Sequence, residues 1–341
     1  MNGPYRGYWF ECRHCGFLAS NLAPVIGDDA SPDSIDEAYR REALDSLRHR
    51  SFERVLDALQ QLPIPRPGRL LDVGCAHGWF LQAASHRGYR AIGLEPDPAI
   101  AAQARLDGLS VISGFFPQDL PDREVFDVIS FHDVFEHLPS PREAAAACFQ
   151  RLSPGGHLVL VLPNSKGVLF RLARLFSRLG LHGPLDRMWQ RGFPSPHLTY
   201  FHPVALACLL QSHGFREVHR DTLPSFSCTG LWQRLRYDRR SSLVVSAVQW
   251  LALVPLSPLQ ALFPSDISFQ VFVRQESATD VGVNPACSAN AVLYVDSLGI
   301  DPWKFDGNRS TPPDASAVSA TRTVRRNYTF RALHVSPQNQ S

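Results

Sequence analysis

Leu70-Leu71-Asp72-Val73-Gly74-Cys75-Ala76-His77-Gly78-Trp79-Phe80 reads as the end of a buried strand, a tight turn and the start of a helix. The apolar run stops at Asp72. Small residues at 74, 76 and 78 tolerate unusual backbone angles and let a ligand come close to the main chain. A helix beginning at Trp79 leaves its first amide N–H groups pointing back into the turn. At the carboxyl end of a parallel strand, such a turn forms a nucleotide-sized pocket. The spacing separates two kinds of nucleotide site. A dinucleotide fingerprint needs glycines first, third and sixth; counted from Gly74, the third residue is Ala76, the last glycine is fifth, and the sixth is Trp79. A nicotinamide-dependent oxidoreductase is thus the weaker reading of this turn.

Outward from the turn, strands and helices alternate. Leu70–Gly74, Ala91–Glu95, Ser110–Ser113, Phe126–Phe131 and Leu158–Leu162 read as strands, with helices over Trp79–Arg87, Pro98–Leu106 and Pro141–Leu152. This βαβ rhythm predicts an α/β, doubly wound, parallel sheet. Ser34–Leu62 carries an apolar stripe at helical spacing, and Pro63–Gly68 breaks the chain before the first strand. The second strand ends in Glu95, about twenty residues after the turn, where a carboxylate can accept both hydroxyls of a ribose.

The acid-x-Gly-x-small-x-Gly pattern at Asp72–Gly78 resembles the first motif of class I S-adenosylmethionine-dependent methyltransferases. Phe126-Asp-Val-Ile-Ser-Phe-His132-Asp133-Val-Phe-Glu136-His137-Leu138 is similar to the fourth-strand motif of the group that includes ubiquinone-biosynthesis O-methyltransferases. Leu152-Ser-Pro-Gly-Gly-His-Leu158 resembles that group's turn into the fifth strand, and His197-Leu-Thr-Tyr-Phe201 its lead into the last helix. The resemblance runs from about residue 66 to 164 and implies a Rossmann-like sheet of about seven strands, mostly parallel. Phe215–Leu223 and Ile267–Arg274 then become an antiparallel closing hairpin, with 224–266 inserted as a helical cap.

The resemblance also implies S-adenosylmethionine as cofactor. Asp72, Gly74, Ala76 and Gly78 would floor its site, with Asp72 acting at one remove on the loop and the cofactor's amino group. Glu95 would hold the ribose, and Ser113, Gly114 and Phe115 would flank the adenine. His132 and Asp133 would face the methionine moiety. The family usually has glycine where Ala76 stands, a departure that bears on activity rather than fold. His137 is a candidate general base at the strand's mouth, since imidazole titrates near neutrality; a structural role for the Glu-His-Leu string is the alternative. His197 and His202 are weaker candidates, being placed to cap or pack. The expected reaction is methyl transfer to a small-molecule acceptor, with oxygen the acceptor atom by resemblance; a non-catalytic scaffold is the rival from another class.

A net charge of +2 with 19% charged residues leaves no nucleic-acid footprint. The seven cysteines read as reduced residues of a cytoplasmic protein, and no secretory leader precedes the fold. Residues 1–30 read as irregular and resemble part of a zinc ribbon, but Cys12 and Cys15 form only one knuckle, and thiolate zinc sites take four ligands; no bound metal is expected. The methyltransferase domain is assigned to 31–275: a cofactor half at 66–164, an acceptor and cap half at 165–266, and a closing strand at 267–275. Within it, the basic amphipathic run Lys166–Arg191 reads as a lid, or as a surface for anionic or lipid-linked acceptors at a membrane. Ser241–Ser265 has no charged residue, yet its prolines and glutamines favour packed helices over an integral span. Residues 276–341 read as a disordered tail, with a short strand conceivable at Ala291–Leu298.

Overall fold

The apolar runs of the middle of the chain pair into one sheet. The computed structural model describes residues 8–12, 15–23, 37–225, 228, 230–236, 242–256 and 262–276, without the side chains of 37–47 and 256. Strands β1 (Trp9–Glu11) and β2 (Leu18–Ser20) and the long helix α1 (Glu37–Gln60) come first. Then follow β3 (Arg69–Val73), α2 (Trp79–His86), β4 (Arg90–Glu95), α3 (Pro98–Leu106), β5 (Val111–Ser113), β6 (Phe126–His132), α4 (Pro141–Arg151) and β7 (Leu152–Pro163). The remainder is α5 (Val168–Arg178), α6 (Gly183–Met188), β8 (Thr199–Tyr200), α7 (Pro203–Gln211), β9 (Phe215–Leu223), α8 (Leu231–Arg236), α9 (Leu243–Leu256) and β10 (Ile267–Arg274).

The large sheet has seven strands in the order β5-β4-β3-β6-β7-β10-β9, parallel as far as β7 and antiparallel beyond it. This is the doubly wound architecture expected from the sequence, with its closing hairpin. Strand order reverses between β3 and β6, and the crevice outside their carboxyl ends is where such sheets take ligands. Consecutive strand residues serve opposite faces. Leu71 and Ile129 pack with Phe135, Ala145, Leu206 and Leu210 on the α4–α7 side. Leu70 and Val128 pack with Phe52, Leu56, Leu59 and Phe80 on the α1–α2 side. Helix starts follow local chemistry: Asp97 accepts from the N–H groups of Ala99 and Ile100, and Ser140 from Glu143, each with proline at the next position.

Three expectations change. The strand expected at Leu158–Leu162 runs from Leu152 to Pro163: antiparallel pairing with β10 spans His157–Pro163, an irregular pairing of Leu152 with Phe126 of β6 carries the start back, and α4 ends at Arg151. Residues 9–20, expected to be irregular, form a three-stranded sheet with β8. Tyr8, Trp9 and Leu18 bury there against Phe170, Trp189 and Tyr200, so apolar burial imposes the order that the spacing did not signal. Cys208 is disulfide-bonded, against the expectation of seven reduced cysteines, while Cys12, Cys15, Cys75, Cys148 and Cys228 are free thiols. A pairing of that kind depends on three-dimensional proximity, which one sequence does not disclose.

The 224–266 insertion holds α8 and α9 between β9 and β10. Among the described residues no helix is long and apolar enough to cross a membrane. The expectation for 276–341, with its candidate strand Ala291–Leu298, falls almost wholly outside the described residues.

Asp266 ties the insertion to α5. Its carboxylate accepts from the N–H groups of Leu169 (3.1 Å) and Phe170 (2.8 Å), and its own N–H donates to Ser225 Oγ (2.9 Å). Gly167 makes room for it, since a Cβ there would lie 2.2 Å from Asp266 Oδ1. Asp266→Ala removes a helix cap and is expected to cost about 1–2 kcal/mol in denaturant unfolding. Gly167→Ala displaces the same carboxylate. In the double variant the two losses should fall short of additive; full additivity would show that the contact does not act as one unit.

Candidate functional site: a cofactor crevice beside a buried carboxyl–imidazole cluster

The turn after β3 alternates handed conformations. Gly74, Ala76 and Gly78 all have positive φ, at 70°, 48° and 75°. Gly74 donates to the Leu94 carbonyl (2.7 Å) and Gly78 to that of Cys75 (2.9 Å). The turn lies hard on β4, for a Cβ at Gly93 would come within 2.4 Å of Cys75 Sγ. Ala76 is therefore a side chain in a left-handed position, which costs an L-residue about 1–2 kcal/mol. Its N–H donates to Glu95 Oε2 at 2.9 Å, and the N–H of Asp97 donates to Oε1 at 3.0 Å. Glu95 thus latches the turn to the end of β4. Each of its oxygens retains a second lone pair, so a diol can still bind. Burial raises its pKa, against the lowering effect of those two N–H groups.

Asp72 lies beneath the turn and is buried, accepting from Ser130 Oγ at 2.8 Å. Desolvation pushes its pKa up to about 7, with the Ser130 hydrogen bond and Arg48 opposing. His132 Nε2 stands 3.9 Å from Asp72 Oδ1, and its ring packs between Phe52 and Phe80. Burial drops the His132 pKa to about 3, so this ring is neutral. Asp133 follows in a left-handed conformation (φ 57°) with Arg48 at 3.7 Å. At the other rim, Gly114 donates to the Glu95 carbonyl (3.0 Å), and Phe115 donates its N–H to Asp119 Oδ2 (2.7 Å) with its ring exposed. Asp72, Glu95, Ser113–Phe115 and His132–Asp133 all belong to the ends of strands that meet at one edge of the sheet.

A second group of side chains lies past β6. Phe135–His137 make a single 3-10 turn, and Glu136 accepts through its carbonyl from the N–H of Leu198 at 2.9 Å. This bond brings His197 beside His137, with ring centroids 4.8 Å apart. His197 Nε2 lies 3.9 Å from Glu136 Oε1. Burial, reinforced by Asp133, holds the Glu136 carboxyl well above its ordinary pKa, and burial holds His197 well below its own. His137 Nδ1 contacts the Pro196 carbonyl (2.9 Å) and Ser195 Oγ (3.2 Å). His202 is the N-cap of α7, accepting from the Val204 N–H at 3.1 Å. Cys12 and Cys15 sit around the β1–β2 turn, where burial raises the Cys15 thiol to about 11.

Reasoning from sequence left Glu136 unassigned and ranked His197 low. The available signal was an acid inside an otherwise apolar string, Val134-Phe135-Glu136-His137-Leu138. What brings His197 to it is a hydrogen bond 62 positions along the chain, in no local pattern.

A methyltransferase-domain family model matches residues 47–220, half the chain. Ubiquinone biosynthesis O-methyltransferase of Alkalilimnicola ehrlichii is 30% identical over 113 residues, which cover 30% of this chain and 46% of that protein. Its counterpart from Hahella chejuensis is 34% identical over 116 residues, covering 31% and 49%. The chain spans about half the length of the curated relatives it matches. Among solved structures, the cyclopropane synthase MmaA2 of Mycobacterium tuberculosis is 20% identical, with a TM-score of 0.48 over 65% of this chain and 83% of that one. The chain belongs to the class I methyltransferases, enzymes whose cofactor is S-adenosylmethionine.

Two outcomes follow from the strained turn and the buried acid. Ala76→Gly relieves a left-handed alanine but gives the unfolded chain more freedom, worth about 0.4–1 kcal/mol. A net rise in Tm of about 1–2 °C is expected in a thermal scan, and a clear fall would refute strain at this position. Asp72 has a folded pKa above its unfolded value. Its contribution to stability is therefore complete below about pH 4 and is lost as pH rises through about 7. Asp72→Asn, which keeps the acceptor for Ser130, should raise Tm by a few degrees at pH 8 and have little effect at pH 4. Equal shifts at both pH values would exclude ionisation of Asp72 as the cause.

Proposed function

We propose that the protein transfers a methyl group from S-adenosylmethionine to a hydroxyl oxygen of a small-molecule acceptor. The observation that carries this reading is the Glu95 latch, a carboxylate that fixes a left-handed turn and keeps acceptor capacity for a ribose diol. The bound cofactor supplies the activated methyl. In-line displacement asks the protein mainly for alignment of two reactants. On this reading the Gly74–Gly78 turn and Glu95 grip the nucleoside, with Ser113 and Gly114 beside the adenine and Phe115 offering its exposed face for stacking. Asp72 acts through the turn and through the field felt by the cofactor's amino group. Asp133 serves the methionine end, and His132, enclosed by Phe52 and Phe80, serves it as a positioning residue. His137 promotes loss of the acceptor's proton. Oxygen as the acceptor atom is supported by the curated relatives' printed activity and by partial identity to them.

The acceptor half favours a lipid-linked molecule. Leu172, Leu175 and Phe176 of α5, and Leu179 just past its end, are exposed beside Arg171 and Arg178, and α9 exposes Leu243, Val244, Val245, Val248 and Leu251. A helix apolar on its outer face next to cationic side chains suits the boundary of an anionic bilayer. α9, at 14 residues, lies in that boundary rather than across it.

Two measurements test the reading. Calorimetric binding of S-adenosylmethionine should weaken at least ~10-fold in Glu95→Ala, more than one lost neutral hydrogen bond would give. Binding unaffected by that change would remove Glu95 from the site. Methyl transfer should be detected on hydroxylated acceptors, with lipid-tailed ones preferred. Sedimentation with vesicles containing phosphatidylglycerol should capture the protein, and Val244→Asp/Val248→Asp should release it; equal capture by neutral vesicles would argue against the cationic rim.

A further inference from the structure

Asp72 belongs to a chain of three groups that can be satisfied in two ways. Ser130 Oγ stands 2.8 Å from Asp72 Oδ1 and 3.3 Å from the Leu71 carbonyl oxygen, and both pairs are buried. A serine hydroxyl has a single proton to donate. While Asp72 is protonated, its O–H donates to Ser130 Oγ and the hydroxyl proton goes on to Leu71. Once Asp72 ionises, the hydroxyl turns to the carboxylate and makes a charge-assisted bond, the stronger class. The pair is complete in either protonation state.

The surroundings select the protonated state in the empty crevice. From the end of β4, Glu95 adds negative potential, and burial keeps the Cys75 thiol in the turn protonated. On β6, His132 Nε2 faces Asp72 from 3.9 Å, beyond hydrogen-bond distance, and among the described residues it has no hydrogen-bond partner. Its ring lies between Phe52 of α1 and Phe80 of α2 and stays neutral there. α1 also contributes Arg48, which lies 3.7 Å from Asp133 and opposes the effect of burial on Asp72 without cancelling it.

We propose that the Asp72–Ser130 pair stores one proton in the empty crevice and releases it when a cationic ligand binds, so that this chain senses the positive charge of its cofactor as well as its nucleoside. The proposal rests on S-adenosylmethionine binding at the turn above Asp72. That molecule brings an ammonium and a sulfonium, and positive charge near a buried carboxyl favours ionisation. The O–H bond of Asp72 then breaks, its electron pair stays on the carboxylate, and the proton passes to water. His132 does not receive it, since the ring would add positive charge to the same enclosure. Ser130 turns from Leu71 to the new anion. Affinity therefore rises with pH, because at low pH each binding event must expel a proton that is already absent at high pH.

Calorimetry of S-adenosylmethionine binding in phosphate and in bis-Tris, buffers of unlike ionisation enthalpy, measures the proton directly. Close to one should leave at pH 6 and ~0.1 at pH 8, with Kd ~10-fold weaker at the lower pH. 5′-Methylthioadenosine, a nucleoside ligand with neither ammonium nor sulfonium, should release none from this pair. Asp72→Asn should lose the release and flatten the pH dependence; Glu95 is present in both proteins and cancels in the comparison. Ser130→Ala removes the bond to the anion and should move the midpoint of the Kd profile up by ~1 pH unit, which a merely structural serine would not do. Equal release by Asp72→Asn and its parent, or by the two ligands, overturns the proposal; if Asp72→Asn does not fold, an unmoved midpoint in Ser130→Ala does so. A protein that binds S-adenosylmethionine with no proton released at pH 6 rejects the proton store alone, whereas absence of any binding rejects the cofactor site with it.

Discussion

One carboxylate joins the two strands on which the cofactor crevice depends. Glu95 accepts the N–H of Ala76 from the β3 turn and the N–H of Asp97 from the start of α3. Both contacts are charge-assisted when the carboxylate is ionised, the stronger class of hydrogen bond. The latch keeps a turn with three left-handed residues against β4, although one of the three is an alanine. That arrangement in turn aims the α2 amides at the crevice and places β4, β5 and β6 ends around it. A parallel sheet supplies the scaffold, but the latch sets where a ligand would be met.

The same crevice retains groups that work against folding. Asp72 is buried with one strong hydrogen bond, and its raised pKa means that ionising it in place is costly. His132, 3.9 Å away, is held neutral and so offers no compensating charge. An apolar or amide side chain would suit a purely structural role better. An acid maintained at such a position fits a need for negative charge beneath the cofactor loop, and perturbed groups of this kind gather at working sites.

The fold was legible in the sequence because its signals are local. Asp97-Pro98 and Ser140-Pro141 announce helix starts, apolar runs mark strands buried on both faces, and Gly74–Gly78 marks the turn. The motif at the end of β6 was legible too, but only as a string. Its partner arrives through Leu198 and Glu136, a backbone contact without side-chain periodicity. The β1–β2–β8 sheet escaped for the same reason. Two strands of three residues each are set by burial of Trp9 and Leu18 against Trp189, not by alternation long enough to read.

The N-terminal strands bear on the acceptor side as well. Glu11 takes both guanidinium nitrogens of Arg174 on α5, at 3.1 and 2.6 Å, and Trp9 lies under the same guanidinium. Phe170 and Ala173 bury on that side, which turns Leu172, Leu175 and Phe176 outward. An amphipathic helix normally hides its apolar stripe. Here burial of one apolar face is already satisfied by the N-terminal sheet, and a second remains outside; α9 likewise exposes Leu243, Val244, Val245, Val248 and Leu251. Asp266 fixes the start of α5 to the end of the insertion that carries α9. Helix α5 is thus fixed at two points, to the N-terminal sheet through Arg174 and to the segment before β10 through Asp266, and its apolar surplus is left outside by that anchoring.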